Sequence, residues 1–148
     1  MPNDPIAGDF TGTAEVAWIM AELKALVHDH AYETRVPDGE ELPRDPSGKV
    51  SPYIIARFSQ PYGSAQGRNI GREWGQPHRM SFTVLVISGD ADWTRALMAK
   101  VLTTLLGQNA SLTSSDIEAT GGSAFGQADP GSPSRFELAQ FFRMTINV

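Results

Sequence analysis

Three groups of residues in this chain have the types and spacing that chemistry could use. His28, Asp29 and His30 put two imidazoles and a carboxylate within three positions, the donor types that a divalent metal accepts. Asp90 and Asp92 form a carboxylate pair of the kind that can share acid and base work. Between residues 59 and 79, Arg68, Arg72, His78 and Arg79 stand among Tyr62 and Trp74. Cations beside aromatics are the composition of a contact surface for another protein or a polyanion.

The first two groups have plainer readings. The histidines sit where a helix is expected to end, polar residues are usual there, and no third ligand pattern accompanies them. Asp90 and Asp92 fall at the start of the second expected helix, where carboxylates cap free N–H groups and favour the helix dipole. Neither a metal nor a cofactor is expected. The phosphate-binding pattern G-x-x-x-x-G-K-[ST] and the nucleophile elbow G-x-S-x-G do not occur. With no cysteine there is no disulfide framework, thiolate metal site or thiol nucleophile. No catalytic residue is assigned, and the reading is of a protein that is not an enzyme. The segment 59–79 is different. Gly63, Gly67, Gly71 and Gly75 recur every fourth residue, but Arg68, Asn69, Arg72, Glu73 and Gln76 make a lipid-embedded helix untenable. A connection of this length is usually functional or disordered, and it is read as a mobile arm.

Elements must position that arm. A helix is expected over residues 13–28, with Val16, Ile19, Met20, Leu23, Leu26 and Val27 as its apolar stripe. A short strand at 30–36 leads into an exposed connection at 37–49, rich in proline, glycine and aspartate. Strands follow at 52–58 and 80–88; the second is nearly all apolar, so a central strand with both faces buried is expected. The second helix starts with Asp90 as N-cap and stops before Gly107. Trp93, Leu97, Val101 and Leu105 form one row, with Met98, Leu102 and Leu106 beside it. A weaker strand is centred near Ile117, residues 121–134 read as a second loop, and a long strand fills 135–148.

That last strand alternates. Phe136, Leu138, Phe142, Met144, Ile146 and Val148 share one parity, while Arg135, Glu137, Arg143, Thr145 and Asn147 share the other. Gln140 and Phe141 break the pattern and put an aromatic on the outer face near mid-strand. The expected fold class is α+β: a mainly antiparallel sheet with two helices packed on one face and long projecting loops, in one domain spanning residues 1–148.

Composition sets outer bounds. The chain has 148 residues, 41% hydrophobic and 20% charged, as a soluble globular domain does. A net charge of −5 argues against a dedicated nucleic-acid binder, whose phosphate contacts need a basic excess. Residues 1–10 lack a basic n-region and an apolar h-region, so a signal peptide is not expected. The apolar run at 82–87 is too short to span a bilayer, which takes about 20 residues. The expectation is a soluble protein made in the cytoplasm, with no membrane partner.

The order of these elements carries a resemblance. An amphipathic helix, then "YETRVPDG", the strand "PYIIARF", a long loop and "FTVLVISGDADWTRALMAKVLTTLLG" resemble the tail terminator, or tail completion, proteins of long-tailed bacteriophages. The residues carrying it in the core strand and second helix are Ser88, Asp90, Ala96, Val101 and Leu105, followed by the C-terminal strand. The resemblance implies a structural virion protein of the tail or neck. Copies would form a homo-hexameric ring that caps the tail tube protein, ends its polymerisation and offers the surface for the head–tail connector protein. DNA would pass through the lumen without sequence-specific binding. It also implies that Arg68, Arg72, Trp74, His78, Arg79 and Phe141 meet neighbouring subunits, tube or lumen. Both loops depart from the family pattern in length. Two other readings stand beside it: another neck-region ring, such as a connector or stopper, and a small enzyme or ligand-binding module with a pocket near Trp74 or Trp93.

Overall fold

The computed structural model describes residues 11–63, 78–122, 126–129 and 135–146. Helix α1 (Thr13–Leu26) follows Gly12, which takes a left-handed conformation as N-cap, while the Thr11 hydroxyl accepts from the Thr13 N–H at 3.2 Å. Its stripe is buried at Ile19, Met20, Leu23 and Val27. The helix ends earlier than the periodicity suggests, because His28 and Asp29 both adopt positive φ and turn the chain back, with the Asp29 N–H on the Lys24 carbonyl.

The chain then lays down β1 (Ala31–Glu33), β2 (Tyr53–Phe58), β3 (Tyr62–Gly63) and β4 (His78–Ser88). Helix α2 (Ala91–Leu105) follows, then β5 (Glu118–Gly122), β6 (Gly126–Asp129) and β7 (Arg135–Ile146). The main path of the sheet is β1-β2-β4-β7-β5, with β3 added to β4 and β6 to β7. Every pairing is antiparallel except β1 with β2. The fold is α+β, as expected. Both helices lie on one face, α1 over β1 and β2, α2 over β4 and β7.

Register on that face is fixed by aromatics. Phe58, Phe82 and Phe142 stand directly opposite one another on three successive strands. Phe58 and Phe82 stack at 5.3 Å, and Phe82 and Phe142 at 5.0 Å. A one-residue slip of any of these strands would carry its phenylalanine to the wrong face and break the stack. Below them, Val84, Val86, Leu97, Met98 and Val101 complete the core.

The β4–α2 corner is held by polar groups. The buried hydroxyls of Ser88 and Thr94 lie 2.7 Å apart, and both donate to the Asp90 carbonyl. The Asp90 carboxylate accepts from the N–H groups of Asp92 and Trp93, the cap expected from sequence. Gly89 lies so close to the 34–52 connection that a Cβ on it would stand 2.7 Å from the Val50 nitrogen. This is where the connection folds back over the second face of the sheet. Its Val36, Leu42 and Val50 form a small apolar cluster with Tyr53, Ile55, Leu85 and Ile87.

Four expectations need correction. Strand β4 begins at His78, two residues earlier than expected, and pairs there with β3, so both ends of the 59–79 segment belong to the sheet. The 121–134 stretch is not wholly loop: it holds the end of β5 and all of β6, which pair with the long β7. Strand β4 is central, but its outward residues Ser81, Thr83 and Leu85 are only half-buried, because the connection covers only one end of that face. Trp93 sits in the apolar row of α2 yet is 36% exposed, because its ring borders an open groove with Leu26 and Pro52 instead of the sheet core.

Candidate assembly surface

The face opposite the helices divides into a covered half and an open half. In β4 the odd-numbered residues point to it, and pairing carries that parity to the neighbouring strands. One cross-sheet row is Arg57, Thr83 and Phe141; the next joins Ser81 with Arg143 and Glu118; Arg79 stands opposite Thr145 on one side and Tyr62 on the other. The open half therefore gathers Arg57, Tyr62, Arg79, Phe141 and Arg143 at the root of the arm.

These side chains are held in place. Arg143 Nε donates to the Glu118 carboxylate at 3.1 Å across directly paired positions, and Arg57 Nε donates to the Thr34 carbonyl at 3.2 Å. The Tyr62 and Ser81 hydroxyls lie 3.5 Å apart. The Gln140 amide donates to the Gly121 carbonyl, fastening β5 beside Phe141. Phe141 itself is 43% exposed, while its neighbour Phe142 is buried at 1% on the other face. The outward aromatic read from the broken alternation is thus found on the outer face.

The structure brings Phe141 and Arg79 onto one face, two rows apart, about 13 Å along the strand. It separates His78 from Arg79, since adjacent strand residues point to opposite faces. Arg68, Arg72 and Trp74 lie outside the described residues. Sequence reasoning passed over Arg57 and Arg143. The signal for Arg143 was present, two positions from Phe141 and therefore on its face.

Elsewhere, His30 Nδ1 lies 3.2 Å from the Tyr32 hydroxyl, which donates to Glu40 at 3.3 Å. Burial, with the nearby Glu40 carboxylate, raises the Tyr32 phenol above its ordinary value. Among the described residues no three His, Asp or Glu side chains converge as metal ligands. A cleft of about 640 Å3 runs between the connection and the start of β7, lined by His30, Glu40, Glu41, Arg44 and Arg135. Burial also raises the Tyr53 phenol, opposed by the adjacent Arg135. Glu40 and Glu41 share this lining with Arg44 and Arg135.

Comparison with known proteins follows the fold rather than the sequence. No protein-family model matches the chain, and no curated protein matches it. Among solved structures it is similar to a chain from the virion of a native gene transfer agent particle. The TM-score is 0.59 at 16% identity, and the match covers 90% of this chain and 92% of that one. At that identity the likeness is one of fold, running almost end to end through both chains.

Proposed function

We propose that this chain is a structural protein of a phage-like virion, acting by assembly rather than catalysis. The observation that carries the reading is the nearly end-to-end fold likeness to a chain of a gene transfer agent virion. Within that class the order of elements favours a tail terminator: one α+β domain whose copies close into a homo-hexameric ring at the end of the tail tube. There the ring ends polymerisation and offers the surface to which the head connector joins.

The open half of the sheet is the surface this role uses. Arg57, Arg79 and Arg143, with Phe141 beside them, give it cationic and aromatic groups on a rigid backing, and the chain segment that carries Arg68, Arg72 and Trp74 leaves from β3 and returns at β4 along this sheet. Symmetry multiplies modest contacts of this kind. DNA passing through the lumen needs no base recognition from such a surface.

The test is native mass spectrometry over a concentration series, with negative-stain images and a tube-capping assay. The expected result is a closed ring with a central hole, or assembly triggered by tube ends, and shorter tubes when the protein is present. A monomer at every concentration that leaves tube length unchanged overturns the reading. A closed ring that binds connector but leaves tubes unchanged points to another neck ring instead.

A further inference from the structure

Two features beside α2 match each other and do not meet within one subunit. Beyond the C-terminal end, Gly107 turns in the left-handed region and residues 107–117 fold into a tight hairpin. The Gly107 N–H donates to the Ile117 carbonyl at 3.0 Å, the Ile117 N–H donates to the Gln108 carbonyl at 2.9 Å, and Asn109 bridges Asp116. Its tip is ordered: the Ser111 N–H donates to Ser114 Oγ at 3.0 Å, and Asn109 Nδ2 donates to the Ser114 carbonyl at 2.8 Å. On that tip Leu112 is fully exposed, at 106% of its reference area. An apolar side chain held out by a braced turn contributes nothing to its own fold.

At the other end of α2, Trp93 forms one wall of an apolar groove of about 350 Å3, completed by Leu26, Pro52, Ala96 and Leu97 with Lys100 on its rim. Lys49 Nζ sits 5.6 Å from the Trp93 ring centroid and keeps that wall in place. Leu112 is fully exposed and so does not occupy the groove of its own chain. Lys100 at the groove and Asp116 in the knob's hairpin carry opposite charges. Among the described residues neither Lys100 at the groove nor Asp116 beside the knob makes a salt bridge.

We infer that Leu112 of one copy seats in the Trp93 groove of the next, with Asp116 facing Lys100. The inference rests on the proposal of ring assembly and names the contact through which it proceeds. Because knob and groove are different surfaces, the contact is heterologous: it runs head to tail, and repetition gives a closed ring or an open filament. Apolar insertion supplies the affinity, and the unlike charges set the orientation.

The cysteine-free sequence makes the test clean. Leu112→Cys and Ala96→Cys are placed in one chain, which is mildly oxidised and run on a non-reducing gel. The expected product is a ladder of covalent multimers joined through 96–112 disulfides, collapsed by reductant, whereas each single variant alone stays monomeric on the gel. In parallel, Leu112→Lys should weaken self-association roughly ten- to hundred-fold while leaving the melting temperature of the dilute protein unchanged. Lys100→Asp or Asp116→Lys should each weaken it about five-fold, and the two together should restore it. A ladder ending at a fixed size supports both contact and ring; one that never closes supports the contact and overturns the ring. A ring that neither crosslinks nor responds to Leu112→Lys overturns the contact alone. Crosslinking of position 112 only to an added tube or neck protein, or no association of the wild type at any concentration, also overturns the contact.

Discussion

Replacing Phe142 with alanine tests the register of the whole sheet, because Phe142 ends the ladder of rings across β2, β4 and β7. It is 1% exposed and stacks on Phe82 at 5.0 Å with 15° between the planes. Truncating a buried phenylalanine costs about 3–5 kcal/mol, and a stacked aromatic pair adds about 0.5–1.5 kcal/mol beyond its buried area. A domain of this size has about 5–15 kcal/mol in all, so the variant should remain folded but lose a large share of its stability. At roughly 2–4 °C per kcal/mol the melting temperature should fall by about 10–15 °C. The control is the adjacent residue. Phe141→Ala removes the same group from the opposite, open face and should cost less than about 1 kcal/mol. Guanidinium unfolding followed by circular dichroism, at a dilution where the protein is monomeric, measures both without a contribution from assembly. Equal losses for the two variants would refute the parity assigned to β7. A loss below about 1 kcal/mol for Phe142→Ala would refute the core itself.

Leu97→Ala, at the buried middle of α2 facing the sheet, should cost about 2–5 kcal/mol in the same unfolding assay; a near-neutral result would reject the helix–sheet packing. Replacing Arg68, Arg72 and Arg79 together with alanine should weaken ring formation or tube capping and leave the melting temperature nearly unchanged; a large thermal loss would make the arm part of the fold. The Asp90 carboxyl is held below its ordinary value, chiefly by the Trp93 N–H and then by Lys49. Its charge therefore contributes stability that is present above the unfolded value near pH 4 and is lost as pH falls through the lower folded value. Asp90→Asn should accordingly be less stable than the wild type at pH 7, with the gap closing below about pH 4. A gap that is constant from pH 7 to pH 3 would show that the charged cap is not its source.

Most of the regular structure was legible because burial imposes a period on it. Both helices and strands β2, β4 and β7 bury one face against a common core, and alternation or a three-to-four spacing follows from that. Where an element is held by backbone pairing alone, no such trace is left. Apart from Thr120, Glu118–Gly122 and the residues of β6 are glycine, alanine and polar types with low strand propensity, and they are strands because β7, twelve residues long, offers them its second edge. Strand β3 exists for the same reason along the start of β4. Trp93 shows the converse error. It stands in the apolar row of α2, but that row runs out past the core at Trp93, while the next residue, Thr94, is fully buried.

The candidate surface was legible only in part, and the reason lies in how a sheet gathers residues. Phe141 could be found because one strand's own alternation breaks there. Arg57, Arg79 and Arg143 come from three strands, and only cross-strand register places them together, whereas neighbours in sequence such as His78 and Arg79 are sent to opposite faces. An assembly surface of this kind has no motif, since no reaction demands fixed spacing of its groups. It also has a charge pattern that composition hides. The chain carries a net charge of −5, yet the open half of the sheet sets three arginines, Arg57, Arg79 and Arg143, against one glutamate, Glu118. Cross-strand register alone produces that local excess of cations, so neither the overall charge nor any short stretch of sequence reveals it.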